Sequence, residues 1–197
     1  HVLEDCIRQI NKRYDALVIP EISFGEGFWA KAKSFERSLY VGDENIESAR
    51  FVKSSVYKNV GGHNEKMVLS EDKDFDLRIR KAGYKIGRVD EPIYHNEGRL
   101  SLKKDLQKKF FYGRTAHVFI AENPKHAFRQ ANLIFRIAYF RNWKRLTMNP
   151  ALSVGMFLMK TLETLAALMG LITAIQVTFT EKALQNLKDY EPMKESN

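Results

Sequence analysis

The sequence predicts an α/β fold that gives way, near residue 100, to helices alone. Three observations carry this. Short apolar runs ended by proline or glycine alternate with helix-period segments over the first hundred residues. After Ser101 the pattern is helical throughout. The most apolar stretch of all, Ala151 to Phe179, lies in that second part. With 197 residues, 44% of them hydrophobic, the chain can bury one substantial core and carry an appendage. The expected organisation is a sheet-containing unit over 1–100, a basic and apolar helical region over 101–179, and a polar, fraying tail over 180–197.

His1 to Arg13 reads as a helix, with Val2, Leu3, Cys6, Ile7 and Ile10 in one apolar stripe. Cys6 is the only cysteine, which excludes an intramolecular disulfide framework, fits a reducing compartment and suits a small buried hydrophobe. No signal-peptide pattern opens the chain. Asp15 to Pro20 reads as a short buried strand ended by proline. Gly25 to Trp29 reads as a flexible turn with two aromatics, followed by a helix from Ala30 to Tyr40. Ala49 to Val52 is a second strand, and Ser54 to Val60 a short helix stopped by Gly61-Gly62.

Ser70 is a good N-cap for the next helix. Glu71 and Asp72 fall in its first turn, Phe75, Ile79 and Ala82 repeat at helical spacing, and Gly83 supplies the stop. Tyr84 to Val89 and Ile93 to His95 read as extended. From Ser101, Leu102, Leu106 and Phe110 line one helix face among lysines. Phe128 to Arg145 projects apolar residues on two sides with arginines between.

Charge is unevenly placed. The chain carries a net +8, while Arg99 to Arg145 holds twelve Lys/Arg against Asp105 and Glu122, a local +10. Such a segment suits a surface that meets phosphates. The apolar stretch that follows is interrupted only by Lys160 and Glu163, spaced to pair at i, i+3. A charge deep in a membrane span costs about 2.5–3.5 kcal/mol. A shallow interfacial helix, a half-inserted hairpin and a buried bundle helix all satisfy this pattern. The basic flank favours contact with an anionic membrane. Aromatics interleave with the basic residues, but the apolar stretch and the lack of a nucleic-acid motif argue against a nucleic-acid partner.

No HExxH, CxxC, P-loop or GxSxG pattern occurs. Chemistry therefore rests on Ser70-Glu-Asp-Lys-Asp-Phe-Asp-Leu-Arg78. A carboxylate at a helix N-terminus is held ionised and suits a general base. The plain structural alternative has Glu71 and Asp72 complementing the helix dipole while Asp74 and Asp76 lie solvated. Gly61-Gly62 lets backbone approach a ligand or simply ends a helix. His95 suits a hydrogen-bonded structural role or a metal ligand.

The order of these pieces resembles the family-2 glycosyltransferases: Val60-Gly-Gly-His-Asn-Glu65, then Glu71-Asp-Lys-Asp-Phe-Asp-Leu-Arg78, then a strand ending Tyr94-His95. The likeness covers about Val2 to Gly113. It implies the C-terminal, acceptor-side half of a GT-A (Rossmann-like) domain over 1–100. It implies Asp72 as general base with Glu71 beside it, Gly61 and Gly62 near the donor sugar and acceptor, and His95 near the metal or diphosphate. By location, Trp29 and Arg99 fall to acceptor and diphosphate. A divalent metal, Mg2+ or Mn2+, is implied as cofactor, held mainly by an upstream Asp-x-Asp motif that this chain does not contain. Gln-x-x-Arg-Trp, the mark of processive synthases, is also absent.

The expectation is thus an inverting, non-processive enzyme that moves a sugar from a nucleotide-sugar donor to a hydroxyl or lipid-linked acceptor. It would work at the cytoplasmic face of the membrane, peripherally or with one C-terminal membrane segment, and be inactive without the nucleotide-binding half. The alternative is a non-catalytic membrane-surface module built on the same +10 segment.

Overall fold

The computed structural model describes residues 1–44, 46–65, 67, 70–125 and 141–195. It is a mixed α/β structure with small sheets and one long apolar helix near the C-terminus. Helix α1 (Val2–Lys12) leads to β1 (Ala16–Val18), β2 (Glu21–Glu26) and α2 (Gly27–Ser38). Strand β3 (Phe51–Val52), helices α3 (Ser54–Asn59) and α4 (Glu71–Lys81), and strands β4 (Ile86–Arg88) and β5 (Ile93–Arg99) follow. Among the described residues that follow are α5 (Leu102–Glu122), α6 (Trp143–Met148) and α7 (Pro150–Glu195). The two-sided apolar segment expected over 128–145 lies largely outside the described residues.

Strand β1 is the axis of the first sheet, pairing antiparallel with β3 and parallel with β4. Its alternating side chains explain the layers on either side. Ala16 faces a core of Val56, Phe75 and Ile79 from α3 and α4, while Leu17 faces Cys6 and Ile10 of α1 and Val89. Phe75 is 2% exposed, a burial that contributes about 2–3 kcal/mol. On α1 the expected stripe is used only in part: Cys6 and Ile10 are buried and Val2 packs against their cluster, whereas Leu3 and Ile7 face outward.

A second sheet pairs β2 with β5 in parallel. The expected turn at Gly25–Trp29 is instead the end of β2 and the first turn of α2. Gly25 is needed there because a Cβ would come within 2.8 Å of the Gly98 carbonyl.

Helix α7 extends through Glu195, so the expected frayed tail is helical backbone. Its segment Pro150–Thr178, 29 residues, is long and apolar enough to cross a bilayer. It packs along α5 and against α2. Gly113 on α5 and Gly170 on α7 make close passage possible: a Cβ at either would fall about 2 Å from a backbone oxygen of the other helix (Ala167 and Phe110). The expected Lys160–Glu163 pair forms at 3.4 Å, and both residues point inward. Lys160 also meets Glu36 at 2.6 Å, and Lys33 pairs with Glu163 and lies 3.9 Å from Asp105. Charges that looked costly in an apolar helix are thus spent between three helices.

Candidate active site

The site grows from the N-terminus of α4. Ser70 holds the N-cap position, but its side chain makes no capping hydrogen bond, and its backbone is left-handed at φ 64°, ψ 19°. For a residue with a Cβ this conformation costs about 1–2 kcal/mol. Its carbonyl accepts the Asp74 amide at 2.9 Å, so the helix still starts with Glu71 and Asp72 in the first turn.

The four acids that follow divide by burial. The Asp72 side chain is 68% exposed, with its Oδ1 3.4 Å from Nε2 of His63. The His63 ring stacks on Phe75 at 4.5 Å, which fixes it beside the carboxylate. Asp74 and Asp76, which the plain structural alternative leaves in solvent, are buried at 3% and 0% exposure. Asp76 accepts from the Ala49 amide at 3.0 Å, from Arg80 at 2.9 Å and from Lys73 at 3.3 Å. Lys73 also donates to the Glu44 and Glu47 carbonyls. Burial holds the Lys73 ammonium below its usual range, against the pull of Asp76. The helix that looked like surplus acid is a clamp on the loop before β3.

Asp74 accepts from Asn123 at 2.9 Å and from Arg78 at 2.8 Å. The Arg78 guanidinium then reaches the carbonyls of Val60 at 2.5 Å and Gly62 at 2.6 Å. Gly61 and Gly62 have φ of 81° and 65°, a turn that glycine makes without strain, and a Cβ on Gly62 would strike the Tyr57 ring at 2.9 Å. The glycine pair and the acidic helix are therefore one unit, joined through Arg78.

Asp72, Ser70 and Lys73 line a cavity of about 520 Å³ together with Glu21 of β2, Arg37 and Tyr40 from α2 and its end, Arg50, and His95 of β5. Arg37 and Arg50 each hold one oxygen of Glu21, at 2.5 and 2.6 Å, and Arg37 also meets Glu97 at 3.0 Å. Burial pushes Glu21 up, but the hydrogen bond and charge of Arg50, with Arg37 and His95, outweigh it and hold the carboxyl below its usual range. The same cavity thus carries two guanidiniums on a shared carboxylate, able to exchange that partner for another anion.

Of the residues singled out in the sequence, the cavity gathers Asp72 and His95. Glu71 is half-buried outside its lining. Gly61 and Gly62 are not in the lining, and the Gly62 carbonyl accepts from Arg78. Trp29 packs edge-on against Phe28, whose ring contacts Gly155 of α7. Arg99 is exposed at the end of β5, away from the lining. Sequence reasoning missed Arg37, Arg50, Glu21 and His63. Only His63 carried a local signal, as the residue after the glycine pair.

His95, the residue expected near a metal or diphosphate, lies in the cavity lining. His95 Nε2 lies 3.8 Å from Glu97, but that carboxylate is engaged by Arg37. Among the described residues no three His, Cys, Asp or Glu side chains gather closely enough to share an ion.

No family model, curated protein or solved structure matches the chain.

Proposed function

We propose that the chain forms the acceptor side of an inverting, non-processive glycosyltransferase with a GT-A type fold, associated with the cytoplasmic face of a membrane. The observation that carries this reading is Asp72: an accessible carboxylate at a helix N-terminus, lining a cavity that Arg37 and Arg50 also line. Asp72 removes the proton from an acceptor hydroxyl as its oxygen attacks the anomeric carbon of a nucleotide sugar. The bond to the diphosphate breaks, and the nucleoside diphosphate leaves with the electron pair. His63 orients the carboxylate. The two guanidiniums meet phosphate oxygens by displacing Glu21. A divalent cation, held mainly by the upstream motif that the resemblance implies, would neutralise the leaving diphosphate.

The test is sugar transfer by the product of the full open reading frame, with and without Asp72→Asn. Loss of turnover by about 10²-fold or more, with folding unchanged, is expected for a base. Near-normal turnover removes Asp72 from that role. A protein that binds vesicles yet transfers no sugar from any nucleotide donor supports the second reading, a non-catalytic membrane-surface module, which the exposed apolar side of α7 favours.

A further inference from the structure

Helix α7 has two unlike sides. Inward, Lys160 and Glu163 are consumed by Glu36, Lys33 and the neighbourhood of Asp105. Outward, Val154, Leu158, Leu165, Leu168, Ile172 and Ile175 stand 44–68% exposed at helical spacing. At 1.5 Å per residue that stripe is about 32 Å long.

A stripe of this length would suit a helix crossing a bilayer, but the packing forbids α7 from crossing alone. Contacts advance in step along α5 and α7, from Asp105 near Glu163 to Arg114 near Gly170, so the helices run side by side in the same direction. A crossing α7 would draw α5 into hydrocarbon with Lys103, Lys104, Lys108 and Arg114, all exposed. Lying flat, the same pair puts the apolar stripe against acyl chains and the cations among head groups. Helix α6 continues this surface: Trp143 is 57% exposed with the Lys144 ammonium 5.9 Å from its ring, and Met148 is 78% exposed.

We infer that α5, α6 and α7 form a platform that lies in the plane of an anionic bilayer surface and does not span it. This deepens the membrane-associated reading by naming the partner and the orientation, and it stands whether or not the cavity transfers sugar. It also places the cavity. Arg145 and Asn142 at the start of α6 donate to the carbonyls of Ser38 and Leu39, at the end of α2 that supplies Arg37 and Tyr40. The cavity therefore sits near membrane level, within reach of an acceptor carried by a lipid.

The experiment uses the whole chain and 100-nm vesicles of phosphatidylcholine alone or with about 30% phosphatidylglycerol. Single cysteines at Leu158, Leu165 and Ile172, in a Cys6→Ala background, carry a polarity-sensitive fluorophore read with shallow and deep lipid quenchers. The expected result is binding to the anionic vesicles only, with all three positions equally shallow. Lys104→Gln with Lys108→Gln weakens partitioning about 25-fold, near fivefold per charge. Leu165→Gln with Ile172→Gln lowers it at least as much, with circular dichroism unchanged. Graded depth from 158 to 172 overturns the in-plane arrangement in favour of a span. Equal binding to neutral vesicles, no binding, or tighter binding to a single-stranded oligonucleotide than to anionic vesicles overturns the platform. Asp72→Asn leaves every one of these readouts unchanged, so failure here and failure of the catalytic reading are separate results.

Discussion

Replacing Arg78 by alanine removes three hydrogen bonds at once, to the carbonyls of Val60 and Gly62 and to Asp74. A net hydrogen bond from a charged donor contributes about 1.5–3 kcal/mol. The Arg78 side chain is 31% exposed, so water can reach the freed carbonyls, and Asn123 continues to donate to Asp74. The low end therefore applies, and the sum is about 4.5 kcal/mol. In a chain of this size that corresponds to a fall in Tm of about 10 °C. Urea unfolding followed by circular dichroism, on Arg78→Ala, Asp74→Ala and the double variant, measures both the loss and the coupling. The double variant should recover about 1.5 kcal/mol relative to the sum of the singles, because removing both partners leaves no unpaired buried charge. Arg78→Lys should recover less than half of the loss, since one ammonium cannot span three acceptors. A loss below 1 kcal/mol, or single costs that simply add, would refute the view that Arg78 joins the glycine turn to the acidic helix.

Two further outcomes are expected. Gly170→Ala sets a methyl about 2 Å from the Phe110 carbonyl. Its helix-propensity gain of about 1 kcal/mol should be overridden by overpacking, giving a net loss of up to about 2 kcal/mol in thermal unfolding. Acid should also destabilise the fold. The Lys85 amide and the Lys53 ammonium hold the Asp15 carboxyl below its usual range, so its contribution is fully present above about pH 4 and disappears as pH falls through the lowered value. Glu21 acts in the same direction. Asp105 has the opposite sign: burial and neighbouring Glu163 raise its pKa, so what it contributes at low pH is lost as pH rises through that value. Stability measured from pH 7 to 3 should therefore fall below about pH 4, less steeply in Asp15→Asn, while Asp105→Asn should be relatively more stable near neutrality.

Local signals gave the positions of α1, α3 and α4, but not the start of α2 or the extent of α7 through Glu195. The bounds of α4 follow from its first-turn acids, its apolar repeat and Gly83. Strand β2 was hidden because Gly25 and Gly27 look like a turn, and because Ile22 and Phe24, its apolar residues, are exposed rather than packed. The burial of Asp74 and Asp76 was hidden by composition: four acids in six residues read as a wetted face. Yet each stands four residues before an arginine, Arg78 and Arg80, and those pairs are what permit burial. Arg37, Arg50 and Glu21 come from three separated segments, and no periodicity reports a meeting of that kind. Lys160 and Glu163 showed their mutual pairing in the sequence, but not the partners 58 to 130 residues away that turn them inward.

The salt bridge between Lys33 and Glu163 also has a meaning in time. The two residues stand 130 positions apart, and closing a loop of that length costs on the order of 4 kcal/mol of chain entropy. Neighbouring pieces such as α3 and α4, joined through Arg78 and Val60, close far shorter loops and can form first. Helix α7 should then dock late, with its apolar stripe exposed while it waits. A nearby lipid surface would shelter that stripe during assembly, so the chain should fold with less aggregation when membranes are present from the start of synthesis.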